Sequence, residues 1–359
     1  MAKRFTTVFI WDLDKTYLVT HFESLRQLLK VPFEGGEDKV AVPGVVPLIK
    51  GLRRTCRRRG RPARMYFVSA SPPQISGAIK EKLALDGIEY DGIAFKDQMR
   101  HLIAARFAAV REQIGYKLEQ LLHHAREFEP GSRLILFGDD WESDPFVYSL
   151  LADVVAGRIA SERVMGLLEK AGVDEHYSRR IETLLAGPFV DLAVWHIFIL
   201  RQKLRAPAEF EPFGPRLTWV DNYFEAALKL YAMGCLDVAG VLDVATELRR
   251  SPAELAESLA AFERRGAIDR AALGRARREL IYTGLMAPVG GGGIVARLRG
   301  AWRRWREPRH PSEVAGPVPP YEQLVERWSR RAKKEGSDGG KSGSHGRPAS
   351  DRRADNRGR

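Results

Sequence analysis

An α/β fold built on a parallel sheet is predicted by three observations. Val8-Phe9-Ile10-Trp11 is an unbroken apolar run of β-branched and aromatic residues, which reads as a buried strand. Residues 64–68 and 133–137 repeat that character, and each run ends in a small or acidic turn. Segments with helical periodicity separate these runs. Strands alternating with helices imply a parallel sheet with right-handed crossovers.

Along the chain, residues 21–30 carry Phe22, Leu25, Leu28 and Leu29 at helical spacing. Pro43 opens the next helix as a first-turn proline, with Val46, Ile49 and Leu52 on one face. Arg57-Arg58-Arg59 close it, and cations suit the negative end of a helix dipole. After the second strand, Pro72-Pro73 restart a helix that runs to about Leu85. A short strand is expected near 93–95. A long helical stretch follows over 97–128, with a break near Gly115. The 133–137 strand leads into Gly138-Asp139-Asp140-Trp141, a helix to Leu151, and one more strand at 153–156. Past Ser161 strand signals fade. Residues 162–170, 177–185, 190–204, 217–233, 236–249 and 252–280 read as helices, so an all-helical domain is expected over 161–288 after an α/β domain over 1–160. Ser251-Pro252 is a cap followed by a first-turn proline. His176, Trp195 and His196 show no ligand spacing and read as core or surface residues.

The 359 residues have 44% hydrophobic side chains, enough for a substantial core. No apolar run approaches the length of a membrane-spanning helix, and residues 1–6 lack a signal-peptide core. Cys56 and Cys235 are too few for a disulfide framework or a cysteine metal site, so a reducing cytoplasm is the expected setting. The net charge of +12 is uneven. Residues 291–359 hold 17 basic and 8 acidic side chains, so the basic character belongs to the tail.

The chemistry gathers at strand ends. The first strand ends in Asp12, Asp14 and Thr16, the second in Ser69, and the 133–137 strand in Asp139, Asp140 and Asp144. In a parallel sheet these ends share one edge, where open α/β sheets bind ligands. A D-x-D triplet alone is a weak motif, and burying two carboxylates is costly without a cation. Lys117 falls between the second and last of these ends. Each residue type has a task in phosphate-ester hydrolysis. One acid attacks phosphorus, another protonates the leaving oxygen, a hydroxyl and a lysine hold phosphate oxygens, and acids bind Mg²⁺.

Three blocks carry a family resemblance: Asp12-Leu13-Asp14-Lys15-Thr16, Tyr66-Phe67-Val68-Ser69-Ala70-Ser71-Pro72, and the stretch from Phe137-Gly138-Asp139-Asp140 through Asp144-Pro145 to Tyr148. Their order resembles the haloacid dehalogenase superfamily of aspartate-nucleophile phosphatases. In closer detail it resembles the actin-patch type of phosphatidate phosphatase catalytic domain. The resemblance covers about residues 5–160 and implies a Rossmann-like sheet of the haloacid dehalogenase type. The insert over 19–42 is short and would make a minimal cap. By position, the resemblance implies Asp12 as nucleophile and Asp14 as the acid that protonates the leaving group and later activates water. Asp12, Asp139, Asp144 and the main-chain carbonyl of Asp14 would bind Mg²⁺, with Asp140 as a further candidate. Thr16 would support the loop and Ser69 would bond a phosphate oxygen. Either Lys117 or Lys96 would be the phosphate-site lysine. Lys15 and Trp141 depart from the family pattern at their positions.

The tail adds a second signal. Ile294, Val295, Leu298, Ala301, Trp302 and Trp305 share one helical arc, and Arg297, Arg299, Arg303, Arg304 and Arg306 fill the other. Such a helix over 294–306, following the glycine-rich linker at 290–293, suits the surface of an anionic membrane or docking on the enzyme itself. Tyr321, Leu324, Val325 and Trp328 form a weaker stripe. From Lys333 onward the composition predicts disorder. The expected protein is therefore a cytoplasmic, Mg²⁺-dependent phosphomonoester hydrolase, with phosphatidate or a related lipid phosphate as the first substrate. Nucleotide, sugar or protein phosphates are the second reading. A nucleic-acid-associated protein bound through its basic tail is the reading from another class.

Overall fold

The computed structural model describes residues 5–19, 37, 39–70, 73–95, 106–141, 143–203, 205–268, 270–287 and 316–327. Six strands form one all-parallel sheet: β1 (Thr7–Asp12), β2 (Ala63–Ser69), β3 (Gly92–Phe95), β4 (Arg133–Asp139), β5 (Ala193–Leu200) and β6 (Leu217–Val220). Their order is β3-β2-β1-β4-β5-β6. The strand order reverses between β1 and β4, and the crevice beyond their carboxyl ends is where such sheets place a ligand.

Alternation along β1 explains why the sheet is covered twice. Phe9 and Trp11 point into one core, with α1 (Val45–Arg58), α2 (Ser76–Leu85), α7 (Tyr223–Ala232), α8 (Val238–Glu247), α9 (Pro252–Arg264) and α10 (Arg270–Tyr282). Val8 and Ile10 point into the other, with α3 (Arg106–Glu127), α4 (Asp144–Val155), α5 (Ser161–Ala171) and α6 (Glu175–Leu185). Successive strand side chains face opposite sides of the sheet, so a strand buried on both faces needs an unbroken apolar run. Across the sheet, Trp11 stacks on Phe137 with ring centres 3.6 Å apart. Phe137 in turn stacks on Phe198 at 5.0 Å.

Several expectations are corrected. The sheet does not end at residue 160, because β5 and β6 lie beyond the expected domain boundary. Residues 193–200 and 217–220, expected in helices, are strands. Ala193-Val194-Trp195-His196-Ile197-Phe198-Ile199-Leu200 is apolar at nearly every position, and periodicity cannot separate a fully buried strand from a buried helix. The reverse error falls on 153–156. Val154 and Val155 belong to α4, every residue of which is buried, so this helix shows no polar face. The helix expected over 252–280 is two, α9 and α10, with Gly266 in the left-handed region between them at φ +66°. Conversely, α3 runs unbroken through Gly115. A Cβ there would lie 2.7 Å from Val173 and 2.9 Å from Tyr177, so this glycine admits close helix packing rather than a break. The helical C-terminal region expected from the sequence is present as α7 to α10.

Part of the expected tail is built into the body. Tyr321, Leu324 and Val325 are buried in the core that holds α4, and residues 321–327 are helical. Tyr321 donates its hydroxyl to Asp153 of α4 at 2.7 Å, and Arg158 donates to the Gly316 carbonyl at 2.9 Å. Arg163 of α5 forks onto Glu322 at 2.8 and 3.0 Å. The expected helix at 21–30, most of the short cap insert, Lys96, the helix at 294–306 and the tail from 333 lie outside the described residues. Among the described residues, no helix is long and apolar enough to cross a membrane.

Candidate active site

β1 delivers Asp12 to the carboxyl edge of the sheet, and the chain then turns sharply. Tyr17 and Leu18 both donate their amides to the Leu13 carbonyl, at 3.0 and 2.9 Å. Lys15 sits inside this turn with φ +61°. That left-handed conformation costs a non-glycine residue about 1 kcal/mol or more, so the surrounding bonds hold it in place. The turn brings Asp14 opposite the end of β2, where Ser69 Oγ donates to Asp14 Oδ2 at 3.2 Å.

β4 delivers Asp139 beside Asp12, and α4 begins with Asp144. Carboxylate oxygens of Asp12, Asp139 and Asp144 lie within 4.8 Å of one another, all buried. Three buried carboxylates repel unless a cation joins them. Lys117, projecting from α3, supplies one: its Nζ is 2.8 Å from Asp12 Oδ1 and 2.5 Å from Asp144 Oδ1. An all-oxygen donor set with a net surplus of carboxylates also suits a hard divalent ion such as Mg²⁺. The Asp139 amide donates to Asp144 Oδ2 at 3.2 Å, which fixes the start of α4 against the end of β4. Gly138 makes this approach feasible, because a Cβ there would lie 2.7 Å from the Asp144 Cβ.

The structure thus brings Asp12, Asp14, Ser69, Lys117, Asp139 and Asp144 to one edge. Asp14 faces Ser69 rather than joining the cluster through its carboxylate. Thr16 is fully buried beneath the loop. Asp140 does something else. Its carboxylate accepts the amides of Lys203 and Arg205, at 2.6 and 3.1 Å, and so ties the β4 loop to the segment after β5.

Tyr223, which the sequence did not single out, completes the support together with Tyr148, Trp141 and Lys15. Tyr223, at the start of α7, donates to the Thr16 carbonyl. Burial, then the Asp12 and Asp139 carboxylates, push its phenol well up, so it stays a donor. Tyr148 of α4 donates to the Phe137 carbonyl at 3.2 Å, and burial with Asp144 nearby raises its phenol likewise. Nothing local in the sequence marks Tyr223, which lies far along the chain and simply follows the Asn222 cap of α7. Trp141 donates its amide to Asp139 Oδ1 at 2.6 Å, and Lys15 Nζ lies over its indole, 4.5 Å from the ring centre.

No curated protein sequence matches this chain. Residues 7–162 match the family model described as the catalytic domain of phosphatidate phosphatase APP1, and this stretch, which carries every acid of the cluster together with Ser69 and Lys117, resembles that catalytic domain.

Proposed function

We propose that this chain is a Mg²⁺-dependent phosphomonoester hydrolase that works through an aspartyl phosphate on Asp12, and that its substrate is phosphatidate or a related lipid phosphate. The observation that carries the reading is the meeting of Asp12, Asp139, Asp144 and Lys117 at the β1–β4 crevice, within the stretch similar to a phosphatidate phosphatase catalytic domain.

In this reading an Asp12 oxygen attacks phosphorus and the bond from phosphorus to the leaving oxygen breaks. Asp14, poised by Ser69, gives its proton to that oxygen. Asp14 then takes a proton from the water that attacks the aspartyl phosphate. Ser69 and Lys117 hold phosphate oxygens and offset their charge as the transfer proceeds. Asp12, Asp139, Asp144 and the Asp14 carbonyl would hold Mg²⁺, which supplies further charge neutralisation at the phosphoryl oxygens. The basic, tryptophan-bearing residues 294–306 would bring the site to an anionic membrane.

The test is hydrolysis of phosphatidate in mixed vesicles. Turnover should require Mg²⁺, disappear with a chelator, and disappear in Asp12→Asn, which keeps the shape of the side chain but lacks the attacking carboxylate. Full turnover by Asp12→Asn, or by protein stripped of metal, would sink the mechanism.

A further inference from the structure

We infer that the cleft between α1 and the turn leading from α2 into β3 is a second anion site, which takes a phosphate group away from the acid cluster. This site goes beyond the phosphatase reading and stands or falls apart from it.

The cleft encloses about 180 Å³. Lys50, Arg53, Arg54 and Arg57 line it from α1, at spacings that put all four on one helix face. The turn supplies the other wall. Gly87 lies there at φ +63°, and a Cβ on it would come 3.2 Å from Lys50 Nζ, so the ammonium group reaches across to that wall. Glu89 is the acid among the lining residues. Two of the cations are held by carboxylates. Arg53 pairs with Asp91 at 3.0 Å and Glu89 at 3.5 Å, and Arg54 with Asp243 at 2.8 Å and Asp237 at 3.7 Å. Arg58 shares Asp237 at 3.2 Å. The side chains of Lys50 and Arg57, by contrast, make no hydrogen bond or ion pair among the described residues. The Nε–H groups of Arg53 and Arg54 are also buried without an acceptor. Each of these guanidinium groups is thus fixed at its outer nitrogens and retains a donor, which native proteins rarely leave unanswered.

Position separates this cleft from the catalytic edge. α1 joins the parallel strands β1 and β2, so it runs back from the carboxyl edge of the sheet to the amino edge. Arg57 therefore lies toward the amino edge, and residues 87–89 approach that edge ahead of β3. Asp12, Asp139 and Asp144 lie at the carboxyl edge. The helix dipole favours Arg57 in the last turn of α1, but it gives no reason for Lys50 two turns earlier. A phosphate group answers both. Its charge near −2 at neutral pH matches Lys50 and Arg57 together, and its oxygens accept from several sides at once. A carboxylate brings half that charge and two oxygens. The group would arrive either as free phosphate or on a lipid headgroup.

The test compares the full chain with the double variant Lys50→Gln, Arg57→Gln. Both positions are exposed on a helix and glutamine is a good helix former, so the variant should fold. One arm titrates inorganic phosphate by calorimetry in the presence of chelator, with chloride at equal ionic strength as the control. The other arm measures binding to phosphatidylcholine vesicles that carry phosphatidylinositol 4-phosphate, with phosphatidylserine vesicles of equal charge as the control. In one arm or both, the wild-type protein should prefer the phosphate probe to its control. The double variant should weaken that binding roughly tenfold or more, as expected for loss of charge-assisted contacts. A loss in the first arm identifies free phosphate as the source, and a loss in the second identifies the headgroup. Hydrolysis of an aryl phosphate with Mg²⁺ should be the same for both proteins. Equal phosphate binding by wild type and variant in both arms, or no preference over the controls, overturns the inference. Failure of the wild-type protein to hydrolyse any phosphate overturns the phosphatase reading instead and leaves the binding result as it stands.

Discussion

The Tyr223 hydroxyl donates to the main-chain carbonyl of Thr16 at 2.5 Å, joining residues 207 positions apart. The bond fixes the loop that carries Asp12 and Asp14 to a helix outside the stretch similar to the phosphatase domain. The C-terminal helices are therefore part of the support of the site.

Tyr223→Phe keeps the ring and removes the donor, leaving a buried carbonyl unsatisfied at a cost of about 1–3 kcal/mol. We expect a melting temperature lower by a few degrees and a kcat reduced about tenfold, with KM little changed. Calorimetry and steady-state kinetics on the same preparation check both. An unchanged kcat would limit Tyr223 to holding the fold.

Asp14→Asn should discriminate between leaving groups. A general acid contributes roughly 10²–10⁴-fold, most where the leaving oxygen is a poor one. Hydrolysis of an alkyl phosphate should therefore suffer far more than that of an activated aryl phosphate. Equal losses would assign Asp14 to the loop or the metal rather than to the proton.

Gly138→Ala should act on the acid cluster through sterics alone. The new methyl would meet the Asp144 side chain, whose Cβ and Cγ would lie 2.7 and 2.8 Å away. Displacing Asp144 loosens its bonds to Lys117 and to the Asp139 amide. Mg²⁺ should then raise the melting temperature of the wild-type protein, as a ligand of the native state does. It should raise that of Gly138→Ala much less. Thermal denaturation across a Mg²⁺ series reads this without any substrate.

His196 sets a pH dependence of stability. It is buried in β5 with Nε2 2.9 Å from Thr218 Oγ1, and burial pushes its pKa well below the ordinary 6.5. The unfolded chain takes up a proton near 6.5 that the native chain excludes. The contribution of His196 is thus fully present above that pH and is lost as pH falls below it, by up to about 1.4 kcal/mol per pH unit. Urea midpoints at pH 7, 6 and 5 should fall steadily, and His196→Gln, which does not titrate, should flatten the slope.

Legibility followed locality. The end of β1 was readable because an apolar run, two carboxylates and a hydroxyl are contiguous. Ser69 and the Asp139–Asp144 block were readable because each closes a strand. Lys117 is marked only by its place in the order between the second and last strand ends, since it lies within a helix among other polar residues. β5 and β6 were missed because an apolar stretch without polar interruption carries no period. Tyr223 was missed because its partner is a main-chain carbonyl, which leaves no mark in composition. Asp140 is a further candidate ligand by position, and what the sequence does not show is that its oxygens accept the amides of Lys203 and Arg205.

The docking of residues 316–327 against α4 has a mechanical consequence for the acid cluster. The Gly316 carbonyl is held by Arg158, and the Tyr321 hydroxyl holds Asp153. Tyr321, Leu324 and Val325 are buried in the same core as α4. A load on 316–327 therefore falls on Asp153, in the helix that begins with Asp144.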